Sequence, residues 1–236
     1  MSTARASYVA RVAGRRDVGG GMTLFALDVP SALRESYVRP GQYAHLTRVG
    51  EAGYFVLGSR EKRSPWEIVL RRGGAVADVL LASPVGLDIA ATKAIGSGFP
   101  IDDARGHDVV MLVTAGAIAA ARAVVGRRIE DGDGPKTRLV IGARALHTVP
   151  FEDELEAIRA AGVAVRIVLS GEGSTDPPQA GRREHQTDPR YVQHLLDREW
   201  TPDAWVFVAG SDAMVRDVKS TAHDLGALPE RVISNT

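Results

Sequence analysis

The chain has 236 residues, and its 29 Lys plus Arg balance 29 Asp plus Glu, so the formal net charge is zero. A neutral chain has no global field that would draw it to nucleic acid or to an anionic membrane surface, so neither is expected as a partner. The chain contains no cysteine, which excludes disulfides, thiolate zinc sites, cysteine-held iron–sulfur clusters and a cysteine nucleophile. Any redox chemistry therefore has to come from a bound organic cofactor.

The sequence gives no sign of a membrane span or of a metal site. The longest apolar stretch, Val109 to Ala121, is shorter than the ~20 residues that a bilayer crossing needs. The first sixteen residues lack the apolar core of a signal peptide, so a cytoplasmic location is the expectation. The six histidines show no metal-ligand spacing, and no metal is predicted.

The first part of the chain has the pattern of an antiparallel β structure. Between Tyr8 and Lys93 the apolar residues come in six short bursts, namely "YVARVA", "MTLFALDV", "YAHLTRV", "YFVLGS", "WEIVLRR" and "LDIAATK". Gly, Pro and charged residues separate these bursts, as is typical of strands joined by turns. The pattern predicts an N-terminal six-stranded antiparallel barrel.

From Asp108 onward the pattern changes to alternating strands and helices. The strand-like runs are "DVVMLVT", "TRLVIGA", "VAVRIVLS", "AWVFVAG" and "RVISN", and the helical segments between them are "IAAARAVVGRRI", "FEDELEAIRAA", "PRYVQHLLDREW" and "MVRDVKSTAHDL". This alternation predicts a parallel doubly wound α/β domain. The domains are expected at 1–101 and 102–236, with the junction inside Gly96–His107. The polar stretch Gly171–Asp188 is expected to be a surface loop.

Several motifs follow one another in the order of one flavoprotein superfamily. "VRPGQYAHL" resembles the Pro-Gly-Gln strand entry of the ferredoxin-NADP reductase-like flavoproteins, and "RRGGAVADVL" resembles the glycine turn and helix that hold their FAD pyrophosphate. The segment leaving their barrel is similar to "GSGFP", and their nucleotide-binding strands and turns are similar to "VVMLVTAGAIAAAR", "VIGAR" and "VFVAGSDAMVRDV". "GYFVLGS" most resembles the small members without an iron–sulfur cluster. The resemblance covers nearly the whole chain and implies an FAD-binding barrel followed by an NAD(P)-binding domain.

In this resemblance, the fourth strand and the glycine turn of the barrel hold the flavin. The family's Arg-x-Tyr-Ser/Thr motif corresponds to Gly53, Phe55 and Val56, so an aromatic ring persists while the arginine and the hydroxyl are lost. Phe55 is either a flavin platform or plain core, with Tyr54 as a substitute platform. Gly73 and Gly74 form either a simple hairpin turn or a phosphate-binding turn, and the apolar helical stretch after them favours the phosphate-binding turn. The implied flavin-site residues are Tyr54, Phe55, Val56, Leu57, Ser59, Arg71, Gly73, Gly74, Ala75, Val76 and Ala77.

The glycine turn that follows the first strand of the α/β domain is reduced relative to the family. The family's Gly-Thr-Gly-Ile-Ala-Pro corresponds to "GAIAAA" at 116–121, and this change removes a hydroxyl donor and restricts close approach to a pyrophosphate. Gly116 also suits a tight strand-to-helix turn without a ligand. Arg144 ends a strand where family members touch the nucleotide, although such arginines also lie at solvated rims. The implied nucleotide-site residues are Gly116, Ala117, Ile118, Arg144, Ser170, Glu172, Gly210, Ser211 and Met214.

The choice of coenzyme is inferred from the residues after the third parallel strand. Family members that select NADPH offer serine and arginine there, whereas this chain has Ser170, Gly171 and Glu172. A glutamate repels a 2′-phosphate and can accept a hydrogen bond from a 2′-hydroxyl. NADH is therefore favoured over NADPH. For the barrel, the resemblance implies FAD rather than FMN.

The resemblance implies an NAD(P)H-dependent flavin oxidoreductase that passes electrons from NADH through FAD to an unidentified acceptor, with a protein as one option. No side chain is expected to act as a catalytic acid or base, because the flavin carries the chemistry. The alternative is a non-catalytic nucleotide-binding or interaction subunit that keeps the fold with an eroded nucleotide site. The reduced turn at 116–121 is the feature that favours this alternative.

Overall fold

The computed structural model describes residues 7–170, 185–186, 192 and 196–235. The N-terminal half is a six-stranded antiparallel sheet with strand order β4-β3-β6-β1-β2-β5, which confirms the predicted β domain. Its elements are β1 (Tyr8–Asp17), β2 (Met22–Asp28), α1 (Ser31–Arg34), β3 (Tyr43–Arg48), β4 (Glu51–Val56), β5 (Trp66–Arg71), α2 (Ala75–Ala82) and β6 (Asp88–Ala91). The short helix α1 is not anticipated by the sequence pattern.

The sheet curls because alternate side chains of each strand enter one core. Ala10 and Val12 of β1, Phe25 and Leu27 of β2 and Leu46 of β3 all pack into that core. The two edge strands meet just beyond β4, where the Gly58 N–H donates to the carbonyl of Glu67 in β5 at 2.7 Å. The sheet is thus drawn into a barrel, with α2 packed against β3, β4 and β5.

The C-terminal half is a parallel sheet with strand order β10-β9-β8-β7-β11-β12, which confirms the predicted α/β domain. Its elements are β7 (Val109–Thr114), α3 (Ile118–Glu130), β8 (Thr137–Ala143), α4 (Glu152–Ala160), β9 (Ala164–Leu169), β10 (His185–Gln186), α5 (Leu196–Glu199), β11 (Trp205–Ala209), α6 (Asp212–Asp224) and β12 (Val232–Ser234).

Strand β7 lies in the middle of this sheet and is covered on both faces. Val109, Met111 and Val113 pack into one core with α3 and α4, whereas Val110 and Leu112 pack into another with α6. A central strand buried on both sides explains the unbroken apolar run "VVMLV". The order of the strands reverses at β7, because β8 follows on one side of it and β11 on the other.

A buried guanidinium fixes the segment that joins the two sheets. Arg128 of α3 is fully buried and donates to the carbonyls of Ala104 and His107, each at 2.7 Å. It also donates to Thr137 Oγ1 and to Asp133 Oδ2, each at 3.0 Å. Burial lowers the pKa of Arg128, and the nearby Asp133 carboxylate partly offsets this effect. Two of these four hydrogen bonds, those to Ala104 and His107, therefore tie the junction to the α/β core.

Two sequence expectations need correction or completion. The polar stretch Gly171–Asp188 is not entirely loop, because His185–Gln186 forms β10 and pairs in parallel with Ile167 and Val168 of β9. Of the helix expected in "PRYVQHLLDREW", the structure describes Leu196–Glu199 as helical. The domain boundary at residue 101 stays a prediction. In the described part of the chain, no helix has the length and apolarity needed to span a membrane.

Candidate functional site

A cleft of about 700 Å³ opens at the carboxyl ends of the parallel strands. It lies beside the end of β7, where the strand order reverses, and open α/β sheets bind their ligands at such a switch point. Arg71 of the barrel also lines the cleft, which therefore extends from the parallel sheet to the end of β5. The described lining residues are Arg71, Thr114, Ala115, Gly116, Gly142, Ala143, Arg144, Thr148, Val168, Ser170, Val192, Ser211, Ala213, Met214 and Asp217.

The turn after β7 presents backbone to this cleft. A short 3₁₀ turn at Ala115–Ala117 leads into α3, and neither segment has a side-chain cap. A Cβ added at Gly116 would meet only Thr114 Oγ1, at 4.0 Å, and the φ angle of Gly116 is not left-handed. Neither packing nor backbone strain within the described residues therefore requires glycine here. This result weakens the interpretation of Gly116 as a packing glycine.

The cleft is suited to an anion. The N-termini of α3 and α6 both face it, and helix N-termini carry a partial positive charge. Arg71 and Arg144 line it, and neither forms an ion pair with any residue that the structure describes. At the start of α6, the Ser211 hydroxyl accepts from the Met214 N–H at 3.4 Å. Two helix N-termini and the guanidinium-bearing residues Arg71 and Arg144 thus line one space, together with the acidic residue Asp217.

Two hydroxyl-bearing residues complete the far side of the cleft. Ser170 follows β9, and its N–H donates to the Ala143 carbonyl at 2.9 Å, which holds the ends of β8 and β9 together. Thr148 belongs to the turn after β8, and its hydroxyl donates to the Ala145 carbonyl at 2.6 Å. The ribose-binding part of a nucleotide site lies at the ends of such strands in doubly wound sheets.

On the barrel, the two neighbouring aromatic residues of β4 face opposite sides. Phe55 is paired with the buried Ala44 and packs on the barrel core. Tyr54 is 62% exposed and lies beside His45 and Tyr43, with ring centroids 4.8 and 5.6 Å away. A stacking platform needs an accessible ring face. The geometry therefore favours Tyr54 over Phe55.

The glycine turn before α2 has both favourable and unfavourable features for a pyrophosphate. Gly73 has a φ of +102° with open space around it, and Gly74 caps α2 without a side-chain bond. However, the Asp78 carboxylate accepts from the Gly73 N–H at 3.1 Å and places a negative charge at this helix start. A Cβ on Gly53 would lie 2.7 Å from Val76 Cγ1, so β4 and α2 are in contact where the family motif has arginine.

Of the predicted site residues, six line the cleft, namely Arg71, Gly116, Arg144, Ser170, Ser211 and Met214. Gly210 lies beneath them, because a Cβ there would be 2.7 Å from Met214 Sδ. Ile118 and Leu57 are buried, and the Ser59 hydroxyl accepts from the Glu67 N–H at 3.3 Å. Glu172 lies outside the described residues.

Sequence reasoning missed part of the lining. Thr114, Ala115, Gly142, Ala143 and Val168 all lie at or beside the ends of parallel strands. Their signal is position, since any residue at the carboxyl end of a central strand belongs to the switch-point edge. Thr148 and Val192 carry no such signal. Within the described ranges, no three His, Asp or Glu residues are grouped as metal ligands.

The architecture and the switch-point cleft together define a class of protein. The chain has the two-domain fold of ferredoxin-NADP reductase-like FAD/NAD-binding domains. It is similar to a ferredoxin NADP+ reductase from Neisseria gonorrhoeae, solved with bound FAD and NADP. That match has a TM-score of 0.74 and 19% identity, and it covers 97% of each chain. At this identity the likeness establishes the fold.

Several curated relatives are named as enzyme subunits. The chain is 24% identical over 216 residues to the sulfhydrogenase 1 subunit gamma of Pyrococcus furiosus, which covers 89% of this chain and 71% of the relative. It is 26% identical over 127 residues to the electron transfer subunit of dihydroorotate dehydrogenase B (NAD(+)) of Shouchella clausii, covering 51% of this chain and 48% of the relative. No protein-family model matches the chain.

Proposed function

We propose that the protein is a flavin-dependent oxidoreductase that takes electrons from NADH and passes them through FAD to a protein acceptor. The observation that carries the proposal is the switch-point cleft, which combines two helix N-termini, two arginines that pair with no described residue and a turn glycine that the described part of the fold does not need. Open backbone at a helix start is what a pyrophosphate requires. The same cleft reaches Arg71 on the barrel, so the two cofactor regions adjoin.

The residues of the barrel fit a flavin with a backbone-held phosphate. Tyr54 offers an exposed ring, and the first N–H groups of α2 offer anion donors. Arg71 and Arg72 are exposed next to this turn, and neither is paired to a described residue. These two charges stand in for the arginine that the β4 motif lacks. A flavin held there supplies the two-electron chemistry that the side chains lack.

In the α/β domain, the protein's task is to hold the nucleotide. The α3 turn at Gly116 would hold the pyrophosphate through backbone N–H groups, and Arg144 would contact the ribose side of the nucleotide. Orientation of the donor against the acceptor ring contributes most of the rate, since no side-chain acid or base is needed. The acceptor is proposed to be a protein because the curated relatives are named as a gamma subunit and an electron transfer subunit.

Flavin uptake tests the proposal directly. The purified chain is titrated with FAD, and the midpoint of thermal unfolding is followed together with the visible spectrum of the bound fraction. A ligand that binds the folded state raises this midpoint as its concentration exceeds the dissociation constant. We expect such a rise with FAD and a smaller one with FMN. Protein that stays colourless and shows no shift with either flavin contradicts the proposal.

A second candidate function is a non-catalytic subunit that keeps the fold. It is favoured by the Asp78 carboxylate at the start of α2 and by the absence of any hydroxyl in the "GAIAAA" turn. In that case the two helix starts are packing elements rather than phosphate sites. Failure of both FAD and NADH to bind at millimolar concentration would select this alternative.

Removal of the Tyr54 ring is expected to weaken flavin binding. An aromatic stack is worth about 1 kcal/mol beyond its area, so Tyr54→Ala should raise the dissociation constant of FAD at least about fivefold. Tyr54→Phe keeps the ring and should leave the constant unchanged. Val49→Ala, at the exposed tip between β3 and β4, serves as the surface control. Equal FAD affinity in Tyr54→Ala and the native protein would remove Tyr54 from the site.

Charge after β9 is expected to set the choice of coenzyme. We propose that Glu172 disfavours the 2′-phosphate, so flavin reduction should be faster with NADH than with NADPH. Glu172→Arg should shift the ratio of the two kcat/KM values toward NADPH by about tenfold or more, since a charge-assisted contact to phosphate is worth roughly 1.5–3 kcal/mol. Glu172→Gln is the control that removes charge only. An unmoved ratio would show that this residue does not reach the ribose.

A further inference from the structure

The turn after β8 lies at the edge of the cleft and is closed by internal hydrogen bonds. Residues 144–151, here termed the nucleotide turn, line the cleft at Arg144 and Thr148. The Thr148 N–H donates to the Ala145 carbonyl at 3.0 Å, and the Ala145 N–H donates to Thr148 Oγ1 at 3.3 Å. A displacement of the Thr148 backbone therefore moves the whole unit, including Arg144.

The barrel contacts the nucleotide turn through the turn between β1 and β2. The Phe151 N–H donates to the Val18 carbonyl of that barrel turn at 2.7 Å. A Cβ on Gly20 would lie only 2.6 Å from the Thr148 carbonyl oxygen and 3.2 Å from the Pro150 nitrogen. These atoms are backbone, so they cannot swing aside as a side chain would. Because Gly20 has no side chain, the Thr148 backbone can lie this close to the β1–β2 turn.

Charged groups secure the far end of the nucleotide turn. The Phe151 ring lies 5.0 Å from the Arg122 guanidinium carbon and 5.9 Å from that of Arg16. Glu154 accepts from Arg16 at 2.6 Å and from Arg122 at 2.5 Å, and Arg122 also reaches Glu67 of β5 at 2.6 Å. Burial lowers the pKa of Arg122, but its hydrogen bonds to Glu154 and Glu67 more than offset this and leave the pKa raised.

We infer that the β1–β2 turn of the barrel positions the nucleotide turn, with Gly20 as the positioning residue that fixes Thr148 and Arg144 against the ribose and phosphates of a bound nucleotide. This inference rests on the proposed function of the cleft. It makes nucleotide affinity depend on a barrel residue that does not itself line the cleft. The flavin side of the barrel, at Tyr54 and α2, is a separate part of that domain.

The neighbouring glycine provides a matched control. Gly20 and Gly21 have left-handed φ angles of +62° and +68°, so alanine at either position adds the same kind of backbone strain. A Cβ at Gly21 meets nothing within 4 Å, whereas a Cβ at Gly20 meets the Thr148 backbone. The difference in nucleotide affinity between Gly20→Ala and Gly21→Ala therefore separates the effect of the contact with the nucleotide turn from the effect of backbone strain.

The test is calorimetric titration of the full chain with ADP-ribose, which carries both phosphates and needs no flavin. Gly20→Ala should raise the dissociation constant about tenfold, since a displacement of the order of 1 Å removes well-placed contacts, while Gly21→Ala should change it less than about twofold. In flavin-loaded protein, Gly20→Ala should raise the KM for NADH by a similar factor and leave kcat and the FAD dissociation constant unchanged.

Equal ADP-ribose affinities in Gly20→Ala and Gly21→Ala would overturn the inference while leaving the proposed function intact. If the native protein does not bind ADP-ribose at millimolar concentration, the proposed function itself fails. Should Gly20→Ala not fold, Arg16→Ala takes its place, because the Arg16 side chain is half exposed and contacts Phe151 at the far end of the turn as well as Asp153 and Glu154 of α4. A threefold weakening by Arg16→Ala, about 0.7 kcal/mol, supports the inference, and no change overturns it.

Discussion

Replacement of Arg128 by methionine is expected to lower the free energy of unfolding by about 3–5 kcal/mol, the usual cost of breaking a buried ion pair from one side. Arg128 is fully buried, and its removal takes this donor from the His107 carbonyl, while the Ala104 carbonyl keeps the His107 N–H at 3.1 Å. Asp133, whose side chain is 10% exposed, also loses its ion pair with Arg128. Its carboxylate keeps the hydrogen bond from the Gly106 N–H at 2.9 Å. Methionine fills the volume without restoring any of these bonds.

Chemical denaturation measures this loss, with Arg105→Ala as the control. Arg105 is 56% exposed and pairs with Asp102 and Asp131 at 3.5 and 3.6 Å, so its removal should cost no more than about 1 kcal/mol. A loss below about 1 kcal/mol for Arg128→Met would show that the junction to the α/β core is not held by this guanidinium.

Alanine at Gly116 is expected to weaken NADH binding about tenfold without lowering stability. The nearest protein atom to the new Cβ is Thr114 Oγ1 at 4.0 Å, so the fold accepts the change, and alanine reduces the entropy of the unfolded chain. We propose that the methyl group instead occupies the side of the turn from which a pyrophosphate approaches the backbone N–H groups. Loss of one good contact, worth about 1.4 kcal/mol, corresponds to the tenfold change.

Calorimetric titration with NADH and thermal unfolding together test the Gly116 prediction. Gly14→Ala is the matched control, because a Cβ at Gly14 also meets nothing within 4 Å and its φ is not left-handed. Gly14 lies on β1, remote from the cleft lining. Unchanged NADH affinity in Gly116→Ala would place the pyrophosphate elsewhere and would leave the glycine without a ligand role.

Most of the fold could be predicted from local sequence because its signals are local. The six apolar bursts correspond to the six strands of the barrel, and the run "VVMLV" is buried on both faces as its lack of alternation indicates. The two-residue strand β10 could not be predicted, because it is defined by pairing with β9 rather than by its own residues "HQ". The same holds for α1, a single turn whose only buried residue is Leu33.

The candidate site was only partly predictable because its contacts join distant parts of the chain. Strand alternation places Tyr54 and Phe55 on opposite faces, but only the paired Ala44 and His45 show which face is core. Thr148 lines the cleft, and its carbonyl lies next to Gly20 of the barrel. No sequence pattern couples these two positions. Arg128 reads as one of many helix-surface arginines until the burial of its guanidinium is seen.

We propose that NADH bound in the switch-point cleft reduces a flavin held on the barrel. The most direct test is the visible spectrum of the FAD-loaded protein under anaerobic conditions, recorded before and after one equivalent of NADH is added. We expect the absorption band of the oxidised flavin to be lost on mixing and to return when an electron acceptor is admitted. A band that stays unchanged with millimolar NADH, in protein that has demonstrably bound FAD, would contradict it.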